Sequence, residues 1–247
     1  MIYVTGDIHG EDTIRKLGVR RWPEGAGLTR DDYVIILGDF GLVWSSPESD
    51  EDRWWLDWLE SKPWTTLFVD GNHENHDLLG AMPDVPWMGG RVHEVRPHVL
   101  HLMRGEVFAL GHEGELVTVF VMGGARSHDV EWRNEGVTWW ARELPDAHDF
   151  DNGADNLQAN GWGVDYVLTH DCPKACKPSV LRPPSMYDSG DDPGRWAGDR
   201  LTGYLDRVDA MVTYRLWYFG HYHVDRTCAD GRHVCLYDKI VKLGETV

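Results

Sequence analysis

Five times in this chain of 247 residues a short apolar run stops and gives way at once to Asp, Asn or His. Ile2-Tyr3-Val4-Thr5 leads into Gly6-Asp7-Ile8-His9, Tyr33-Val34-Ile35-Ile36-Leu37 into Gly38-Asp39, and Thr65-Thr66-Leu67-Phe68-Val69 into Asp70-Gly71-Asn72. Tyr166-Val167-Leu168-Thr169 leads into His170, and Leu216-Trp217-Tyr218-Phe219 into Gly220-His221-Tyr222-His223. Continuous apolar runs of this length are the signature of strands buried on both faces. Strand, helix, strand spacing over the first three predicts βαβ units and a parallel sheet. In such sheets ligands bind beyond the carboxyl ends of the strands. The pattern therefore brings Asp7, His9, Asp39, Asn72, His170, His221 and His223 to one edge of an α/β fold. Asp7 and His9, two apart, leave the same face of an extended chain.

Between these runs the sequence predicts the remaining elements. A short helix is expected over Glu11–Leu17, a polar connection over Gly18–Asp31, and a helix after Pro47 that opens on the acids Glu48–Asp52. Trp54, Trp55, Trp58 and Leu59 recur at helical spacing and are expected to pack the core. Val92–Met103, Glu106–Leu110 and Leu116–Met122 read as a β-meander ending at Gly123-Gly124-Ala125-Arg126. Helices are expected at Thr138–Leu144, Asp151–Asn160 and Asp199–Val208, a long proline-dense loop over Cys172–Gly198, and a terminal hairpin over Arg226–Val241. No linker or repeat divides the chain, which predicts one domain over 1–247.

The chain carries 24 Lys and Arg against 41 Asp and Glu, a net charge of −17. A surface that negative repels phosphate backbones and anionic lipid, which argues against nucleic-acid and membrane partners. A metal-filled cleft can still take a small anionic substrate. No apolar segment is long enough to span a bilayer, and no basic, apolar leader opens the sequence, so a cytoplasmic location is expected. Cys172 and Cys176 are spaced x3 and Cys228 and Cys235 x6, neither a usual structural zinc spacing. Asp230-Gly231 reads as a two-residue hairpin turn that sets Cys228 opposite His233, so all four cysteines are expected as free thiols.

Oxygen and imidazole donors without thiolate suit manganese, iron, zinc or cobalt. The ordered set Gly6-Asp7-Ile8-His9, Gly38-Asp39, Gly71-Asn72-His73-Glu74, Thr169-His170 and Gly220-His221-Tyr222-His223 resembles the calcineurin-like metallophosphoesterases. The resemblance covers residues 7 to 223 and implies a four-layer α/β/β/α sandwich of two mixed sheets, the Val92–Met122 meander being the expected source of the second. It also implies two transition-metal ions: one held by Asp7, His9 and His223, the other by Asn72, His170 and His221, with Asp39 bridging. His73 is then the group that protonates the leaving oxygen, and the expected activity is hydrolysis of phosphate mono- or diesters. A nuclease of the same superfamily, disfavoured by the charge, and a catalytically silent binding module are the alternatives.

One departure matters. The protein phosphatases of that superfamily extend the second motif to Gly-Asp-x-Val-Asp-Arg-Gly, whereas here it reads Gly38-Asp39-Phe40-Gly41-Leu42-Val43. The acid that orients the histidine and the arginine that holds phosphate are both missing, which argues against protein substrates. Arg126, after Gly123-Gly124, is the candidate phosphate contact, the alternative being an ordinary surface arginine.

Overall fold

The computed structural model describes residues 1–10, 13–181 and 198–247. Strands β1 (Ile2–Thr5), β2 (Tyr33–Leu37) and β3 (Thr65–Val69) lie where the apolar runs predict them and pair in parallel, in that order. Every residue of β2 and β3 is buried, because both faces of the sheet are covered. On one face Val34, Ile36 and Phe68 meet helix α1 (Asp50–Glu60) through Trp55, Leu56 and Leu59. Ser49 caps that helix by accepting from the Asp52 N–H at 3.0 Å, and three acids fill its first turn. Trp54 does not join the core. It is 57% exposed, about 100° around the helix from buried Trp55.

The expected meander is divided between two sheets. After the short helix α2 (His76–Gly80), strands β4 (Asp84–Trp87), β5 (Gly90–Arg96) and β6 (Val99–Leu102) form antiparallel hairpins, and β6 then pairs in parallel with β3. That docking buries Val92, Leu100 and Leu102 in the interior and extends the first sheet. Only β7 (Val107–His112) and β8 (Glu115–Met122) begin the second sheet.

The second sheet continues in parallel from β8 to β9 (Tyr166–Thr169), β10 (Leu216–Phe219) and β12 (His233–Cys235), with β11 (Arg226–Thr227) antiparallel at its edge. The terminal hairpin is therefore shorter than expected. Cys228 N–H does donate to the His233 carbonyl at 2.7 Å, but β13 (Ile240–Lys242) leaves and pairs antiparallel with β1 in the first sheet. The strand orders are β13-β1-β2-β3-β6-β5-β4 and β11-β12-β10-β9-β8-β7. Ile35, Leu67, Val119, Leu168 and Tyr218 meet between the sheets. Outside the second sheet, Phe120 and Trp217 pack on Leu157 of α3 (Ala147–Ala159) and Leu205 of α5 (Arg200–Met211). The result is the expected α/β/β/α sandwich of two mixed sheets.

Thr138–Leu144 is not a helix; only Ala141–Glu143 makes a 3-10 turn. Pro145 favours extended backbone at Leu144, and side chains of the segment bind elsewhere: Trp140 to Asp77, Glu143 to Ser127. The next helix, α3, starts earlier than Asp151 because Asp146 and Asp149 form a reciprocal capping box. Toward Leu17 the chain makes a 3-10 turn over Ile14–Leu17, and Glu11 and Asp12 lie outside the described residues. Of the expected Cys172–Gly198 loop, Lys174–Cys176 is a 3-10 turn and α4 (Lys177–Val180) is helical, while 182–197 lie outside the described residues. All four cysteines are free and buried.

Candidate metal centre

The carboxyl ends of β1, β2 and β3 in one sheet and of β8, β9 and β10 in the other converge on one place. His9, Asp39, His221 and His223 all sit at positive φ, between 45° and 68°. Non-glycine residues seldom adopt that region, and such strain concentrates at functional sites. The glycines of the motifs have a second task, which is to let neighbouring loops approach. A Cβ on Gly71 would fall 2.1 Å from Asp39 Oδ1, and one on Gly220 would fall 2.3 Å from Asp7 Oδ1.

Two groups of donor atoms result. Asp7, His9, Asp39 and His223 each bring one ligand atom within 4.8 Å of the others, and so do Asp39, His170 and His221. Asp39 belongs to both. Its Oδ2 lies 3.8 Å from His9 Nε2, and its Oδ1 lies 3.2 Å from His170 Nε2. In the first group His9 Nε2 is 2.8 Å from His223 Nε2, which is 3.1 Å from Asp7 Oδ2. In the second, Asn72 Oδ1 is 3.2 Å from His170 Nε2, and the rings of His170 and His221 meet edge-on at 5.1 Å. Two donors about 2.0–2.1 Å from one ion stand about 3.0–3.4 Å apart. The observed spacings are near that.

The electrostatics fit a cation. Asp7 is fully buried, and its Oδ2 receives no hydrogen bond of acceptable geometry. His170 Nδ1 lies 2.6 Å from the Leu37 carbonyl, which can only accept, so Nδ1 carries the proton. Nε2 then turns its lone pair toward two more acceptors, Asp39 Oδ1 and Asn72 Oδ1. A proton on Nε2 relieves that contact: burial opposes it, but Asp39 and Asp7 raise the His170 ring to about 10. In return, against burial, His170 holds the Asp39 carboxyl well below its usual range, and with His223 it lowers that of Asp7. Burial pushes His221 down to about 4, leaving it a neutral donor. A transition-metal ion meets the same demand as the proton, with more of the donors at once.

His73 lies beside the two groups rather than in them. Its backbone N–H donates to Asp39 Oδ1 at 2.8 Å, and its ring stands 5.1 Å from that of His9. Burial lowers its pKa, and Arg133 adds to that against the pull of Asp39. The Arg133 guanidinium runs parallel to the imidazole nitrogens, Nη1 being 3.2 Å from Nδ1 and Nη2 3.2 Å from Nε2. A neutral imidazole has one lone-pair nitrogen, so at most one of these contacts is a hydrogen bond. Asp129 holds Arg133 through Nε at 2.8 Å. Arg126 is exposed, one residue before Ser127, which touches Asn72.

Several residues here carried little signal in sequence. Glu74 stands in the third motif without a role; its carboxylate accepts from Phe40 N–H at 2.7 Å, Gly41 N–H at 3.0 Å and Gly71 N–H at 3.3 Å, tying the second loop to the third. Buried Lys16 donates to the Gly6 and Asp7 carbonyls at 3.0 and 2.9 Å and to that of Tyr237. Ser127, Glu143 and Arg133 come from the connection between β8 and α3, where no periodicity marks them. A third group of donors, Asp146, His148 and Asp149, opens α3, but its two carboxylates already serve as the helix cap.

No family profile matches the chain, and no curated protein does. Among solved structures it is similar to a phosphopantetheinyl hydrolase from Mycobacterium tuberculosis, with 17% identity, a TM-score of 0.42, and coverage of 96% of this chain and 89% of that one. At that level of overlap the likeness adds nothing to the geometry of the site.

Proposed function

We propose that this protein is a metal-dependent hydrolase of small phosphate esters with two ions, manganese, iron or zinc. Asp7, His9 and His223 would hold one, Asn72, His170 and His221 the other, and Asp39 would be shared. The observation that carries this reading is Asp39 itself, whose two oxygens each face a different histidine. A carboxylate that belongs to both donor groups could serve two cations at once. When bound, such a pair supplies Lewis acidity toward a phosphoryl oxygen and acidifies water at neutral pH.

The chain's own side chains do the rest. His73 delivers a proton to the departing ester oxygen. An arriving phosphate anion opposes the effects of burial and Arg133 on that ring, favouring its protonated form as substrate binds. Arg133 restrains the imidazole from one side, and Arg126 offers a guanidinium to the phosphate from the rim. The missing arginine of the second motif is thus replaced from the loop after β8. Among the described residues no helix is long and apolar enough to cross a membrane. Separately, the net charge of −17 disfavours a polyanion or an anionic lipid surface as partner.

The test is metal content together with turnover. The wild-type chain loaded with manganese is expected to bind two ions and to hydrolyse p-nitrophenyl phosphate or its bis ester in a chelator-sensitive way. Fewer than two ions per chain, or turnover indifferent to chelation, overturns the reading.

A further inference from the structure

Asn72 is the one proposed ligand that could present either of two chemically opposite atoms. Its amide carries an acceptor oxygen and a donor nitrogen of nearly the same shape, and only the oxygen is useful to a cation. The side chain is buried, with Oδ1 toward His170 Nε2 and Nδ2 toward Ser127 Oγ at 3.1 Å. What prevents the reverse orientation lies behind it. Ser127 is 1% exposed and Glu143 2%. Ser127 Oγ lies 2.6 Å from Glu143 Oε2, the short length of a bond to a carboxylate. Burial pushes the Glu143 carboxyl up, and Ser127, Trp139 and Arg133 oppose that by favouring its ionised form. The Ser127 backbone N–H donates to Glu143 Oε1 at 2.9 Å.

We propose that Ser127 and Glu143 are positioning residues that form a one-way hydrogen-bond relay and fix the oxygen of Asn72 toward the metal centre. An ionised carboxylate accepts only, so the single hydroxyl proton of Ser127 points to Glu143. Ser127 Oγ is then left as an acceptor toward Asn72, which must supply its N–H₂ there. The oxygen has one direction left, toward His170 and the second ion. The proposal rests on Asn72 being a ligand, and it assigns a role to two residues that touch neither ion nor substrate.

The relay makes a sharp prediction for one near-isosteric change. In Glu143→Gln the Ser127 backbone N–H still needs the amide oxygen, which turns the new N–H₂ toward Ser127 Oγ. The hydroxyl then donates to residue 72 and demands an oxygen from it, rotating Asn72 so that its N–H₂ faces the ion. Affinity for one ion of the two should fall by about 10–100-fold, the usual loss when an outer hydrogen-bond partner of a ligand is changed. Ser127→Ala removes the relay without reversing it, so its loss should be smaller, and adding Glu143→Gln to it should cost nothing further. Asn72→Asp should rescue Glu143→Gln, because a carboxylate offers an oxygen to the hydroxyl and another to the ion.

The experiment is manganese titration by calorimetry with metal counting by mass spectrometry on wild type, Glu143→Gln, Ser127→Ala, both doubles, and Asn72→Asp. Melting temperatures establish that each variant is folded. Wild type with two ions, a selective loss in Glu143→Gln, and rescue by Asn72→Asp support the relay. Two ions in wild type with unchanged affinities in Glu143→Gln overturn the relay and leave the two-metal reading standing. Equal, additive losses in Ser127→Ala and Glu143→Gln also overturn it, since they describe packing and not direction. Wild type without two ions overturns the two-metal reading and the relay together.

Discussion

Two buried polar clusters flank the end of β3, two residues apart in sequence and opposite in character. Asp70 faces one way. Its Oδ2 lies 2.5 Å and 2.9 Å from the Nη2 and Nε of Arg104, and its Oδ1 lies 3.2 Å from His101 Nε2. Arg104 also reaches Asp149 at 3.3 Å, and a cavity of about 420 Å³ opens beside the cluster between His76, His93 and Arg142. Asn72 faces the other way, into a set of carboxylates, amide and imidazoles that present lone pairs to one another around strained backbone. In the first cluster each charge meets its opposite within the chain. In the second, carboxylates, an amide and imidazoles crowd together without a lysine or arginine among them, a donor set that could hold a metal ion. A buried polar cluster whose charges are matched holds the fold together, and one whose donors are left unmatched is a candidate site.

That contrast can be broken by experiment. The largest effect is expected from Asp39→Asn, which should drop bound metal below two ions and take turnover close to background. Manganese should raise the melting temperature of the wild type by preferential binding to the native state, and this shift should vanish in Asp39→Asn. Full occupancy with normal turnover would remove Asp39 from the bridge.

His73→Ala should come next, costing about 10²–10⁴ in rate on an alkyl phosphate. The loss should be far smaller on p-nitrophenyl phosphate, whose leaving group scarcely needs a proton, with metal content unchanged. If both esters slow alike and metal is lost, His73 supports Asn72 instead.

Arg104→Met acts on the other cluster and leaves Asp70 buried without its cation, a change worth about 3–5 kcal/mol of stability. The manganese-induced rise in melting temperature should survive it. Loss of that rise would mean that the two clusters are coupled through β3.

Acid should load both clusters in one window, because His221 of the second is pushed down to about 4 by burial just as the histidines of the first are. His76 and His93 are pushed down mainly by burial, to about 3 and about 4, from an ordinary 6.5. Their folded values are depressed, so the unfolded chain binds more protons as pH falls. Stability is full above about pH 6.5 and is lost progressively toward pH 4 and 3. The loss should amount to several kcal/mol at most, since a tenfold difference in proton affinity between the two states is worth roughly 1.4 kcal/mol. Asp70, held far below the usual carboxylate range against burial by Arg104, adds its own loss only below about pH 4. Denaturant melts of the metal-free protein between pH 7 and 4 should show this slope, and His76→Gln should flatten it.

The smallest effect is expected from Arg126→Ala, a rise in KM of at most about tenfold, or 1.4 kcal/mol, since the residue is exposed. Arg133→Ala makes the useful partner experiment. It should change the leaving-group dependence through His73, which Arg126→Ala should not.

The sequence by itself determined the strands and the polar residues at their ends. Runs such as Tyr33–Leu37 are apolar throughout because both faces are covered, and the ligand-type residues follow each run within a few positions. Local patterns of this kind survive in one dimension. What only the tertiary structure decided depends on who faces whom. Val92–Met122 looks like one meander, yet its first half docks on β3 and its second half opens the other sheet, a choice made by which apolar face is buried. Ser127 and Glu143 are 16 residues apart in a stretch without periodicity, and Ser127 meets Asn72 across 55 residues. Arg133 reaches His73 across 60. Such contacts leave no spacing to read, because hydrogen bonds between loops are set by how the two sheets pack and not by any repeat along the chain.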